Sequence, residues 1–133
     1  MRYLLIDDSY CFICGEKNPK GFNLSFTETD NGVSAVFVLD KEYQGYKDII
    51  HGGLIAAILD EAMIKAANQK GYNAVTAELT VRFKNPLMIK QKARVDGKVL
   101  KESRKVLRAT ASLKREEVII AEAEGKLYVP SAE

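Results

Sequence analysis

The sequence predicts an α+β domain in which an antiparallel sheet of five or six strands wraps around one long central helix. Three features carry that prediction. The stretch from Gly52 to Ala67 contains only three polar residues, Asp60, Glu61 and Lys65, so its first two turns are apolar all round, as in a buried helix. Four segments after it alternate apolar and polar residues, and a hairpin signal precedes it. The chain of 133 residues, 47% hydrophobic and 29% charged, has the size and balance of one globular domain, with residues 1–21 as an N-terminal arm.

Taken in order, Met1 to Ile6 is too short an apolar run for a signal core, and Asp7-Asp8 follow at once. Ser9 to Gly21 is rich in Cys, Gly, Asn and Pro and reads as irregular. Phe22 to Thr27 alternates as a strand, Asp30-Asn31-Gly32 marks a turn, and Val33 to Leu39 supplies the partner strand. An irregular stretch from Asp40 to Ile50 leads into the helix, which Gly71 stops. One face of each later strand follows from alternation: Val75, Ala77, Leu79, Val81 and Phe83; then Ala93, Val95, Gly97 and Val99; then Leu107, Ala109, Ala111 and Leu113; then Ile119, Ala121, Ala123, Gly125 and Leu127. Short turns between them imply antiparallel pairing, and the economical packing wraps the sheet around the helix.

The bulk properties exclude several classes of function. A net charge of +2, from 20 basic and 18 acidic residues, lacks the dense basic footprint of a nucleic-acid binder but suits an anionic small ligand. The longest apolar run, Leu54 to Leu59, falls far short of the ~20 residues a membrane helix needs. Two cysteines three positions apart, Cys11 and Cys14, cannot staple distant parts of a fold, which points to a cytoplasmic protein with reduced thiols.

Two features of the helix point to chemistry. His51-Gly52-Gly53 places glycines at the helix start, where unpaired N–H groups under the positive end of the dipole can polarise a carbonyl or hold a phosphate. Asp60 is a mid-helix carboxylate among apolar neighbours with no cation three or four residues away, whereas Glu61 has Lys65 four residues on. Asp60 is therefore the functional candidate. Gly53 and Asp60 share a helix face but stand about 10 Å apart along the axis, too far to act on one bond within one chain. That separation points to a symmetric dimer whose subunits share sites.

The run His51-Gly52-Gly53-Leu54-Ile55-Ala56-Ala57-Ile58-Leu59-Asp60-Glu61-Ala62, with the later strand Thr76 to Pro86, resembles hotdog-fold acyl-CoA thioesterases of the phenylacetate-pathway (PaaI-like) type. The similarity spans about residues 22–128. It implies homodimers, often paired into tetramers, that bind acyl-CoA between subunits and need no cofactor. By position, Gly52 would donate its N–H to the thioester oxygen, with Gly53 beside it. His51 would orient the thioester, Asp60 would be general base or nucleophile, and Thr76 would help hold the water. Several relatives carry an Asn six residues before the motif His. Here that position is Gly45, with Gln44 beside it as a possible substitute. The resemblance leaves two competing readings. One is a hydratase or dehydratase acting through His51 and Glu61, which the glycines directly after His51 disfavour. The other is a non-catalytic acyl-CoA binder, in which Asp60 would have no use.

Arg82, Lys84, Lys90, Arg94, Arg104 and Lys105 are candidate phosphate contacts, none assigned. The arm from Cys11 to Gly21 resembles an N-terminal segment found in a subset of hotdog proteins. Its two cysteines make half a zinc knuckle. With only His51 as a further ligand in view, packed, reduced thiols without metal are the expectation.

Overall fold

The apolar stretch forms helix α1, Gly52–Gln69, in a computed structural model that describes residues 4–130. The Met1–Tyr3 half of the apolar start and residues 131–133 of the expected domain lie outside the described residues. The helix ends through paired bonds, Tyr72 N–H to the Ala67 carbonyl (3.0 Å) and Gly71 N–H to Asn68 (2.9 Å). Gly71 adopts a φ of 91°, the left-handed conformation that such a stop uses. Among the described residues, no helix is long and apolar enough to cross a membrane.

Six strands surround it: β1 (Thr27–Thr29), β2 (Gly32–Val38), β3 (Val75–Phe83), β4 (Lys92–Ser103), β5 (Val106–Arg115) and β6 (Val118–Tyr128). They form one sheet in the order β1-β2-β4-β5-β6-β3, with every pair antiparallel. This is the hotdog fold. The helix follows β2 in sequence but delivers the chain to the opposite edge, so β3 becomes an edge strand paired only with β6.

The core is the seam between helix and sheet. Ile55, Ile58, Leu59, Ala62, Met63, Ala66 and Ala67 are buried against Ala93, Val95, Leu107, Ala109, Ala111, Leu113, Ala121, Ala123 and Leu127. Small residues on the middle strands let the helix lie close. At Gly97 the approach is closest: a β-carbon there would fall 2.5 Å from the Ala62 carbonyl oxygen. No side chain fits in that space.

Two expectations need correction. The strand expected over Phe22–Thr27 forms only at its end, in β1. Phe22 and Leu24 instead donate to Phe12 (3.1 Å) and Ile13 (2.8 Å), so this segment's hydrogen bonds go to the arm rather than to the sheet. The expected alternating face of β3 is broken by a bulge between Thr76 and Glu78. Thr76 pairs with Leu127, Leu79 with Gly125 and Val81 with Ala123, all inward-facing partners. The bulge therefore places Thr76 on the helix side with Leu79, Val81 and Phe83, and takes Val75 and Ala77 out of that series.

Replacing Gly97 with alanine should push helix and sheet apart. Gly97→Ala is expected to cost about 1–3 kcal/mol in urea unfolding. An unchanged midpoint would show that the seam can shift at no cost.

Candidate active site

His51 caps the helix. Its Nδ1 accepts the Gly53 N–H (2.9 Å), and its carbonyl accepts from Leu54 (3.0 Å) and Ile55 (3.2 Å). With Nδ1 acting as acceptor, the ring proton of the neutral imidazole resides on Nε2. Three N–H groups of the first turn are thereby taken, while no hydrogen bond among the described residues uses that of Gly52. Gly53, named beside Gly52 as a contact, is thus held by the His51 ring, and Gly52 is the available donor. The ring of Phe83 flanks it, 3.6 Å from where a Gly52 β-carbon would stand.

Asp60 sits two turns further along, half-buried, and accepts a hydrogen bond from the Thr76 hydroxyl. These two predicted residues meet because the β3 bulge aims Thr76 at the helix. Burial pushes the Asp60 carboxyl above the ordinary 3.8 by disfavouring its charge. The Thr76 hydrogen bond opposes that shift, and the neighbouring Glu61 charge adds to it.

Gln44 and Gly45 belong to the loop that leads into His51. Gln44 spends its side-chain oxygen on the Asp48 N–H (2.9 Å) and the Lys41 ammonium (3.3 Å), closing that loop. Gly45 lies against the imidazole: a β-carbon there would stand 3.5 Å from His51 Cδ2. The position at which relatives place an Asn thus adjoins His51, but without a side chain.

Glu61 departs from its expected role. Among the described residues it forms no ion pair with Lys65, and the Cys11 thiol donates to its Oε2 (3.4 Å). The Cys14 thiol is pushed up to about 12 by burial and by its hydrogen bond to Glu61. No local pattern in the sequence signals that the arm docks on this helix face.

A surface pocket of about 340 Å³ adjoins the helix start, lined by Ile49, Ile50, Gly52, Ile55, Phe83 and Leu87 among others. Larger hollows of about 390 and 580 Å³ include outward-facing residues such as Arg82, Lys98 and Glu122, or Arg94 and Lys114. None of these three is lined by Asp60 or Thr76. Gly52 and Asp60 stay about 12 Å apart along one straight helix.

Residues 47–121 match the sequence profile of the thioesterase superfamily, and that match includes His51, Gly52, Asp60 and Thr76. The chain belongs to the thioesterase superfamily. Its fold is similar to that of a crystallised thioesterase superfamily protein, with a TM-score of 0.84 at 22% identity. That alignment covers 91% of this chain but only 60% of the other, so this chain spans about three-fifths of that protein. A hypothetical thioesterase from Streptococcus pneumoniae TIGR4, crystallised with coenzyme A, superposes with a TM-score of 0.77 at 14% identity, covering 84% of this chain and 91% of that one. The Escherichia coli PaaI protein of the phenylacetic acid degradation operon gives 0.74 at 18% identity, covering 79% and 82%. None of the curated proteins matches this chain in sequence.

The raised Asp60 carboxyl has a consequence for stability. The folded chain holds this proton more tightly than the unfolded chain does. The group's contribution is therefore fully present below the ordinary 3.8 and is lost as pH rises through the higher folded value. Asp60→Asn, which removes the buried charge, should be more stable than the wild type near pH 7 and should lose that advantage below 3.8. Urea midpoints of both proteins at the two pH values test this, and an advantage independent of pH would refute it.

Proposed function

We propose that the protein hydrolyses acyl-CoA thioesters to free acid and coenzyme A, at sites shared between two subunits of a homodimer or of a dimer of dimers. The observation that carries this reading is the half-buried Asp60, held by Thr76 of β3, on the same helix whose first N–H, that of Gly52, is unspent among the described residues. A carboxylate and a backbone donor are the two groups that hydrolysis of a thioester requires.

Asp60 takes a proton from water held by Thr76, and the hydroxide adds to the thioester carbon. Oxygen charge develops against Gly52 N–H, with His51 orienting the group. The C–S bond then breaks, and the coenzyme A thiolate leaves and takes up the proton. In the covalent variant Asp60 itself adds, and water opens the resulting anhydride. Coenzyme A as the thiol draws support from the S. pneumoniae neighbour crystallised with it. In that same protein, Asp→Ala and Thr→Ala variants were crystallised, and the two altered positions are sixteen apart, as are Asp60 and Thr76.

Reach and the state of β3 support sharing between subunits. With about 12 Å between them, the Gly52 donor and Asp60 of one chain cannot serve one carbonyl. The edge strand β3 keeps one side unpaired, and its helix-side residues Leu79 and Phe83 remain 37% and 56% exposed. A second copy laid along β3 covers both residues and brings its own helix start towards Asp60.

Asp60→Asn should lower kcat against a panel of short, branched, aromatic and long acyl-CoAs by a hundredfold or more, about the contribution of a general base. Thr76→Val removes the hydrogen bond that stabilises the charged Asp60 carboxylate, so the acid limb of its kcat/KM profile should move to higher pH. Retained turnover in Asp60→Asn, with hydration of crotonyl-CoA instead, would replace this reading with that of a hydratase.

Complementation tests the shared site. Asp60→Asn and Gly52→Val homodimers should each be nearly inactive while remaining folded by circular dichroism. Refolded together in equal amounts, about half the dimers are mixed, each with one intact site, and activity should recover to roughly a quarter of wild type. If mass spectrometry shows mixed dimers but activity stays absent, the two groups act within one chain.

A further inference from the structure

We propose that Cys11, Cys14 and Glu61 form a metal site, built to hold one zinc-class divalent ion that clamps the N-terminal arm to helix α1. The three side chains come from two parts of the chain fifty residues apart. Their ligand atoms nevertheless lie within 4.8 Å of one another, and all three residues are half-buried.

The arm is shaped for this. Cys11 to Gly15 makes a tight turn closed by the Gly15 N–H to the Cys11 carbonyl (2.9 Å), which brings both thiols to one side. Gly15 has to be glycine, because a β-carbon there would fall 2.3 Å from the Cys11 nitrogen. The Ile13 N–H points at Cys11 Sγ (3.4 Å), a donor that stabilises a sulfur carrying negative charge. Ile13 and Leu24 are buried in the core, so the turn is seated on the domain rather than hanging from it.

The spacing suits coordination. A tetrahedral zinc ion with sulfur at ~2.3 Å and carboxylate oxygen at ~2.1 Å places those two ligands about 3.6 Å apart and two sulfurs about 3.8 Å apart. Cys11 Sγ and Glu61 Oε2 stand 3.4 Å apart already, so an ion needs only small side-chain rotations. Two thiolates with one carboxylate favour a borderline-soft ion over magnesium or calcium. Binding releases the two thiol protons to solvent, and the three negative ligands then share a dication. Three protein ligands leave a fourth position for water, facing a surface hollow that Asp7, Asp8 and Lys65 also line. The Lys65 ammonium, which now stands beside Cys14, Glu61 and Asp7, has the long stem needed to swing aside.

The test uses the full chain, reduced and stripped with chelator, titrated anaerobically with cobalt(II) and then with zinc. One equivalent of cobalt per chain should bind, with thiolate-to-metal charge-transfer absorption in the near ultraviolet that zinc abolishes. Glu61→Gln should weaken cobalt binding by about tenfold or more, and Cys14→Ser should remove most of the charge-transfer band. Zinc should raise the Tm of the wild type but not that of Cys14→Ser, with circular dichroism confirming that each variant folds. No charge-transfer band while both thiols remain titratable would overturn the proposal. So would wild-type affinity in Glu61→Gln, because the thiols alone would then account for binding. Half an equivalent per chain would also overturn it, since two arms rather than one arm and one helix would hold the ion.

Discussion

The fold and its chemistry both depend on the close seating of helix α1 on the sheet. Seven apolar helix residues are buried there, and at Gly97 the backbone of Ala62 comes so near that no β-carbon fits. A helix fixed this tightly cannot rotate, so whatever its remaining face carries is held in a fixed direction. Asp60 lies on that face between the buried Leu59 and the half-buried Glu61. Its carboxylate is kept out of water without being sealed from it, and burial rather than a charged partner sets its behaviour. Burying a carboxylate in this way costs some stability, the usual relation between a group placed for reaction and the core that presents it.

The same seating explains why the proposed site is drawn from two places. The cap made by His51 uses up the Gly53 N–H and leaves that of Gly52, at one end of a rigid rod whose middle bears Asp60. Rigidity forbids the two from converging within one chain. The connection from α1 to β3 carries the chain across to the far edge of the sheet and leaves an unpaired strand beside Asp60. Strand edges with exposed apolar residues are surfaces that proteins cover. An incomplete site and an uncovered edge thus have one remedy in the proposed dimer.

Glu61 shows how adjacent helix residues acquire unrelated tasks. A step of one residue turns the side chain about 100° around the axis, so Asp60 faces β3 while Glu61 faces the docked arm. The pairing with Lys65 that helical spacing suggests is displaced by the thiols of Cys11 and Cys14. Local spacing gives the partners available within an element, and tertiary packing chooses among all of them.

The sequence by itself determined the helix and the four long strands, and it singled out Asp60 and Gly52 as candidates for the site. Each follows from local physics: an apolar surface too wide for solvent, a period of two, glycines at a helix start and a charge without a local partner. Tertiary structure decided what depends on contacts between distant segments. Alternation put Thr76 on the face opposite Leu79, and only the bulge against β6 turned it towards Asp60. The period of Phe22 to Thr27 was that of a strand, but its hydrogen bonds went to the arm. Glu61 was brought to the two cysteines by docking across fifty residues of chain. Periodicity records how one segment meets water, whereas bulges, docking and strand competition depend on which other segment arrives, and that is settled only when the sheet closes around the helix.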